Sequence, residues 1–329
     1  MTELAGLVHR TEQVNGIDLH WVEAGKGPLV LLVHGFPESW YSWRYQLPVL
    51  ADAGYRAVAI DVRGYGGSGR PHAIEEYRML RHVADNLALV DVLGEQDAVV
   101  VGHDWGAPIA WASAHLRPDV FWAVAGLSVP FTPSGATRPT DAFAAMGGDE
   151  EFYISYFQEP GRAETEIEAD VRSWLRGIYV TLSGEGVRAA KAANLGPSML
   201  IAPGGRMRNR FVEPEDQPAW LTEDDLDFYV GEFERSGFTG PLNRYRNVDR
   251  DWEDLSVLRG RPIEVPALFI GGELDGPTRW GGRAIERFPR TLPRLTRAEI
   301  LPGCGHWVQQ ERPDEVNALL LEFLDTVGA

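Results

Sequence analysis

Two stretches near the start of the chain alternate apolar and polar residues, Val8 to Val14 and Ile17 to Ala24, around Asn15-Gly16. Such alternation predicts half-buried strands, and Asn-Gly between them predicts a two-residue hairpin turn. The pattern then changes to short apolar runs. Leu29 to Val33, Arg56 to Asp61, Asp97 to Val101, Val120 to Leu127, Ala267 to Gly271 and Leu295 to Leu301 read as strands. Helical spacing or composition falls between them at Asp85 to Leu93 and Ala107 to Ala114, and an amphipathic helix closes the chain at Pro313 to Val327. Strands alternating with helices predict an α/β fold built on a mostly parallel, doubly wound sheet.

After Pro130 the texture changes. Residues 131–249 are rich in Trp, Tyr, Phe, Met and helix formers, broken by Gly and Pro. Thr222-Glu223-Asp224-Asp225 resembles a capping box opening a helix that Gly237 ends. This stretch predicts a helical lid inserted between two halves of a core domain, residues 1–130 and 250–329.

The chain has 329 residues, more than one hydrophobic core usually spans, which suits a core with a second, smaller layer. A net charge of −17 argues against nucleic acid or an anionic membrane surface as partner. No apolar run is long enough to span a bilayer, so membrane insertion is not expected. Cys304 is the single cysteine, which excludes an intramolecular disulfide and suits a reducing cytoplasm. No His, Cys or Glu spacing suggests a metal site, and no cofactor is expected.

The chemistry starts at Gly102-His103-Asp104-Trp105-Gly106, between an apolar strand and a helix. Small residues flank the central position with the spacing of a sharp strand-turn-helix elbow, where hydrolases often carry serine. Here it is Asp104. A serine needs a base before it can attack, whereas a carboxylate is ionised at neutral pH and can attack an sp3 carbon directly. Phe36 follows His34-Gly35 at the end of an earlier strand, and its backbone N–H with that of Trp105 is a candidate oxyanion hole. Asp275 lies just past the strand at Ala267 to Gly271, and His306 sits in Gly303-Cys304-Gly305-His306-Trp307 before the last helix. Nucleophile, acid, His is the chain order of this architecture. His306 would draw a proton from water while Asp275 holds its ring; Glu273 competes for that role. Phe36, Pro37, Trp105, Phe131, Phe157 and Trp307 are expected to line an apolar pocket.

His34-Gly35-Phe36-Pro37-Glu38-Ser39-Trp40, Asp61-Val62-Arg63-Gly64-Tyr65-Gly66, the elbow and Gly305-His306-Trp307 together resemble the α/β-hydrolase-fold epoxide hydrolases of the soluble type. Two lid segments, Tyr153 to Gly161 and Pro241 to Asn247, resemble those that supply this family's two epoxide-binding tyrosines. The matching positions are Tyr153 and Tyr245, with Tyr156 as a competitor to Tyr153. The resemblance implies an α/β-hydrolase fold with an inserted helical lid and a hydroxyalkyl ester on Asp104. It implies a small apolar epoxide and water as reactants, and it leaves a homodimer open. The resemblance does not extend to the mammalian enzyme's N-terminal phosphatase domain, and no counterpart of it is expected.

Two other readings stay open. A haloalkane or haloacid dehalogenase would use the same aspartate, although Phe36 stands where the haloalkane enzymes carry Asn. A non-catalytic hydrolase-fold binding protein usually lacks a triad member, and none is missing here. Gly64 to Gly69 matches G-x-G-x-x-G, but Arg70-Pro71 follows it instead of a helix, so it offers no phosphate site. His34 and His103 are expected to make structural hydrogen bonds, and Cys304 to be a packing thiol.

Overall fold

The structure is a computed structural model describing residues 6–212 and 218–329. The first strands are β1 (Val8–Val14), β2 (Ile17–Ala24), β3 (Leu29–Val33), β4 (Arg56–Ile60), β5 (Ala98–His103) and β6 (Phe121–Leu127). Two short strands follow within the helical stretch, β7 (Glu151–Phe152) and β8 (Leu200–Ile201), and then β9 (Ala267–Gly272) and β10 (Leu295–Leu301). Eight of them form one sheet in the order β1-β2-β4-β3-β5-β6-β9-β10. β2 pairs antiparallel with β1 and β4, and every later pair is parallel.

Alternate side chains of the central strands feed two cores, as the pleat dictates. Leu31, Val33, Val100, Val124 and Phe269 join the helices Met79–Val92 and Gly106–Leu116 on one face. Val30, Leu32, Val99, Val101, Leu268 and Ile270 join Leu47, Leu50, Val316, Leu320 and Phe323 on the other. Continuous apolar runs arise because both faces are covered.

Among the described residues from Pro139 to Asp254, the chain is helical apart from loops, short 3-10 turns and the small antiparallel ribbon of β7 and β8. The capping box is present: Thr222 accepts from the Asp225 N–H, and the helix Glu223–Ser236 ends at Gly237. The helix Val248–Asp254 runs through the expected lid boundary at residue 249. Asp249 itself ties that helix to the start of the helix Pro139–Gly147, accepting from the Thr140 hydroxyl at 2.7 Å. This helical body shares the core that holds Trp111 and Phe36, burying Trp174, Tyr179, Leu226 and Phe233 there. Among the described residues, no helix is long and apolar enough to cross a membrane.

Candidate active site

The carboxyl ends of β3, β5, β6 and β9 converge under the helical body, where open α/β sheets place their sites. At the end of β5 the chain reverses through Asp104, whose φ is +50°, and enters the helix Gly106–Leu116. A non-glycine residue in this region is strained, and the turn it allows lifts the carboxylate out of the sheet. Gly35 lets the β3 loop approach: a Cβ there would lie 2.4 Å from Asp104 Oδ1. The Phe36 N–H then donates to Asp104 Oδ1 at 2.8 Å. Burial pushes the Asp104 carboxyl up, but its hydrogen bond and charge interaction with His306 hold it below the usual carboxylate value.

His306 Nε2 is 3.3 Å from Asp104 Oδ2, and its Nδ1 is 2.8 Å from Asp275 Oδ1. Asp275 caps the helix Gly276–Trp280 and is fully buried. Its second oxygen accepts from the Ser128 and Thr278 hydroxyls, both at 2.8 Å. Ser128 also sits 3.0 Å from His306 Nδ1, with φ at +70°. Burial pulls the imidazole down, yet Asp275 and Asp104 outweigh it and lift His306 well above its ordinary value. Glu273 is exposed and accepts from the Gly303 N–H, so the structure brings Asp275, and not Glu273, to His306.

A cavity of about 640 Å³ opens above these groups, with Phe36, Pro37, Asp104, Tyr153, Phe157, Tyr245 and His306 among its walls. The two tyrosine rings stand 6.1 Å apart. Burial raises both phenols, followed by Asp104 at Tyr153 and by Tyr153 and then Asp104 at Tyr245, so both remain protonated donors. Tyr156 is turned away, its hydroxyl donating to Glu166 at 2.6 Å.

Three expected pocket residues lie outside the cavity wall. Phe131 packs against Trp111 and His115 behind the helix Gly106–Leu116. Trp307 is fully buried, its indole N–H donating to the Tyr179 carbonyl at 2.8 Å. Trp105 packs its ring edge-on to Tyr245 at 5.1 Å and carries the Arg244 guanidinium on its face. A bulky aromatic beside a site residue in sequence can face either way, and these three pack against neighbouring side chains instead of forming the cavity wall.

Several buried polar groups surround the site, and of these Glu38 carries no mark in the sequence pattern. Glu38, fully buried, accepts from the Gly35 N–H at 2.9 Å and lies 2.7 Å from His103 Nδ1. His103 Nε2 in turn is 2.8 Å from the His306 carbonyl. His34 accepts from the Val62 N–H at 3.0 Å and its Nδ1 lies 2.8 Å from the Gly35 carbonyl, so both histidines are hydrogen-bonded core residues. The loop at Gly64 to Gly69 leads into no α-helix; its Gly67 N–H binds the Asp61 carboxylate instead. Burial pushes the Cys304 thiol up, which keeps it unreactive.

A sequence profile for the alpha/beta hydrolase fold matches residues 28–168. The chain is 46% identical to epoxide hydrolase B of Mycobacterium tuberculosis, over 96% of this chain and 98% of that one. It is 47% identical to epoxide hydrolase A of the same organism, over 96% of each chain. A solved epoxide hydrolase from an endophytic Streptomyces superposes with a TM-score of 0.95 at 62% identity, covering 98% of this chain and 97% of that one. With that likeness running through sequence, sheet and helical body alike, the chain belongs to the epoxide hydrolases of the α/β-hydrolase fold.

Proposed function

We propose that the protein hydrolyses small apolar epoxides to vicinal diols in two steps, without a cofactor. Asp104 Oδ2 attacks a ring carbon, and the carbon–oxygen bond of the epoxide breaks. The oxygen, held by the Tyr153 and Tyr245 hydroxyls, takes a proton from one of them, leaving a hydroxyalkyl ester on Asp104, and the His306 imidazolium, no longer held by a charged Asp104, returns a proton to that tyrosinate. A water molecule then loses a proton to His306 Nε2 and attacks the ester carbonyl. The Phe36 and Trp105 N–H groups receive the resulting oxyanion; as it collapses, the imidazolium protonates the departing alkoxide, the diol leaves with one oxygen taken from Asp104, and the new Asp104 carboxyl gives its proton back to His306. Asp275 steadies the imidazolium that forms. Residues 131–249 act as the lid that supplies the tyrosines.

The observation that carries this reading is the sharing of one cavity by Asp104, His306, Tyr153 and Tyr245. Two neutral phenols suit an oxygen that gains negative charge and needs a proton, better than they suit a departing halide. A panel of epoxides of graded size, assayed for diol beside chloroalkanes assayed for halide, tests it. Diol without halide is the expected result, and halide release with no diol would make the protein a dehalogenase. In a single turnover in 18O-labelled water the diol should be unlabelled, and full labelling would exclude the ester.

A further inference from the structure

The segment that carries His306 belongs to the core, yet its main chain rests on the lid. Three successive backbone N–H groups show how. Gly305 N donates to Glu311 Oε2 at 2.9 Å, and Trp307 N donates to Glu311 Oε1 at 3.1 Å. Between them, His306 N donates to the carbonyl of Leu182 at 2.9 Å. Leu182 ends the helix Val171–Leu182, and Gly184 opens the helix Gly184–Ala192. Gly184 N also donates to Glu311 Oε2, at 2.9 Å, so one carboxylate joins the lid turn to both sides of His306.

The two backbones touch without intervening side chains. A Cβ on Gly184 would lie 2.2 Å from the Gly303 carbonyl oxygen, and one on Gly305 would lie 2.2 Å from Gly184 N. The lid adds two further ties: the Tyr179 carbonyl receives the Trp307 indole N–H, and Arg188 donates to the Gly303 carbonyl at 2.8 Å. Asp104 and Asp275, the groups the imidazole must face, both come from the core. A shift of the lid turn therefore moves the imidazole relative to the nucleophile and the acid.

We propose that Glu311 is a positioning residue that couples seating of the lid turn at 182–184 to placement of His306, resting on the role of His306 as base argued above. The coupling acts on one half of the reaction. Formation of the ester uses Asp104 and the tyrosines, whereas its hydrolysis uses the imidazole. Misplacing a catalytic group by about an ångström can cost on the order of 10²-fold.

The test compares Glu311→Gln and Gly184→Ala with wild type, measuring ester formation and ester hydrolysis separately by intact mass during rapid-quench turnover of an epoxide. The first variant puts an amide N–H₂ where backbone N–H groups need an acceptor. The second leaves Glu311 in place and wedges the lid turn away from Gly303. Both are expected to form ester within about twofold of wild type and to hydrolyse it roughly tenfold to hundredfold more slowly, so that ester accumulates. Unchanged half-reaction rates in folded protein would overturn the coupling. So would equal losses in both half-reactions, and so would an effect confined to Glu311→Gln. A wild-type enzyme that forms no ester and no diol would instead sink the epoxide reading itself.

Discussion

His306 Nε2 stands 3.3 Å from Asp104 Oδ2, so the proposed base and nucleophile are already in contact before substrate arrives. The contact has a chemical consequence. While Asp104 is a carboxylate, it and Asp275 together hold the imidazole protonated. In the proposed mechanism, forming the ester removes the charge on Asp104, leaves Asp275 as the single lifting carboxylate, and lets the imidazole pass its proton to the tyrosinate and become a base. In that mechanism the nucleophile switches on the group that later removes its adduct.

Replacing His306 with Gln should keep ester formation and stop its hydrolysis. We expect kcat to fall by about 10²- to 10⁴-fold, the usual value of a positioned general base. Intact mass should show the protein plus one epoxide. Absence of any adduct with fresh substrate would remove Asp104 as nucleophile.

Tyr153→Phe and Tyr245→Phe should each slow ester formation by about 10²- to 10³-fold, the cost of one lost donor to a developing oxyanion. Tyr156→Phe serves as the contrast. Its hydroxyl serves Glu166, so activity should stay near wild type while stability drops by about 1–3 kcal/mol. Stopped-flow tryptophan quenching and thermal melts read the two effects.

Ser128→Ala removes one of the two hydroxyl donors to Asp275 Oδ2. Hydrolysis of the ester should slow by about tenfold, the value of one hydrogen bond to a charged group, with ester formation unchanged. Equal slowing of both steps in rapid-quench experiments would assign Ser128 to folding alone.

The native imidazole of His306 is lifted above its ordinary 6.5, so it stabilises the fold fully below that value. The contribution is lost as pH rises through the higher native value. Asp104 works the other way: its lowered carboxyl adds stability above 3.8 that is lost as pH falls through its native value. The melting-temperature gap between wild type and His306→Gln should therefore narrow from about pH 6 towards pH 10. A gap that widens over that range contradicts the lifted imidazole.

Phe131→Ala should destabilise the protein by about 3–5 kcal/mol, the cost of emptying a buried phenylalanine site. It should leave the ratio of kcat/KM for large and small epoxides unchanged. Phe157→Ala, on the cavity wall, should change that ratio. Matching selectivity in the two variants would redraw the pocket.

Much of the core was legible because its signals are local. The Asn15-Gly16 turn marked the hairpin, although β1 is exposed at six of its seven positions and so is not the half-buried strand expected, and the bounds of β3 and β10 match the expected strands residue for residue. Asp104, His306 and Asp275 meet because each stands at the carboxyl end of a strand in a parallel sheet, a position that chain order reveals. Local pattern does not reveal the direction of a side chain in an irregular lid. Tyr153 and Tyr156 share one four-residue helix, and only its packing turns one to the cavity and the other to Glu166. Ser128 and Asp275 are partners across 147 positions, and neither residue type marks such a pairing in sequence. Trp307 and Phe131 misled because apolar character reports burial, not which wall a ring forms.

The order of the sheet has a last implication. β6 and β9 lie side by side as parallel partners, so the whole helical body between them leaves and returns at one seam. Lengthening that excursion disturbs no pairing of the eight-stranded sheet, and closing a longer connection adds little entropy cost. The excursion can thus change its length at its outer loops while the sheet that carries Asp104 and Asp275 keeps its order.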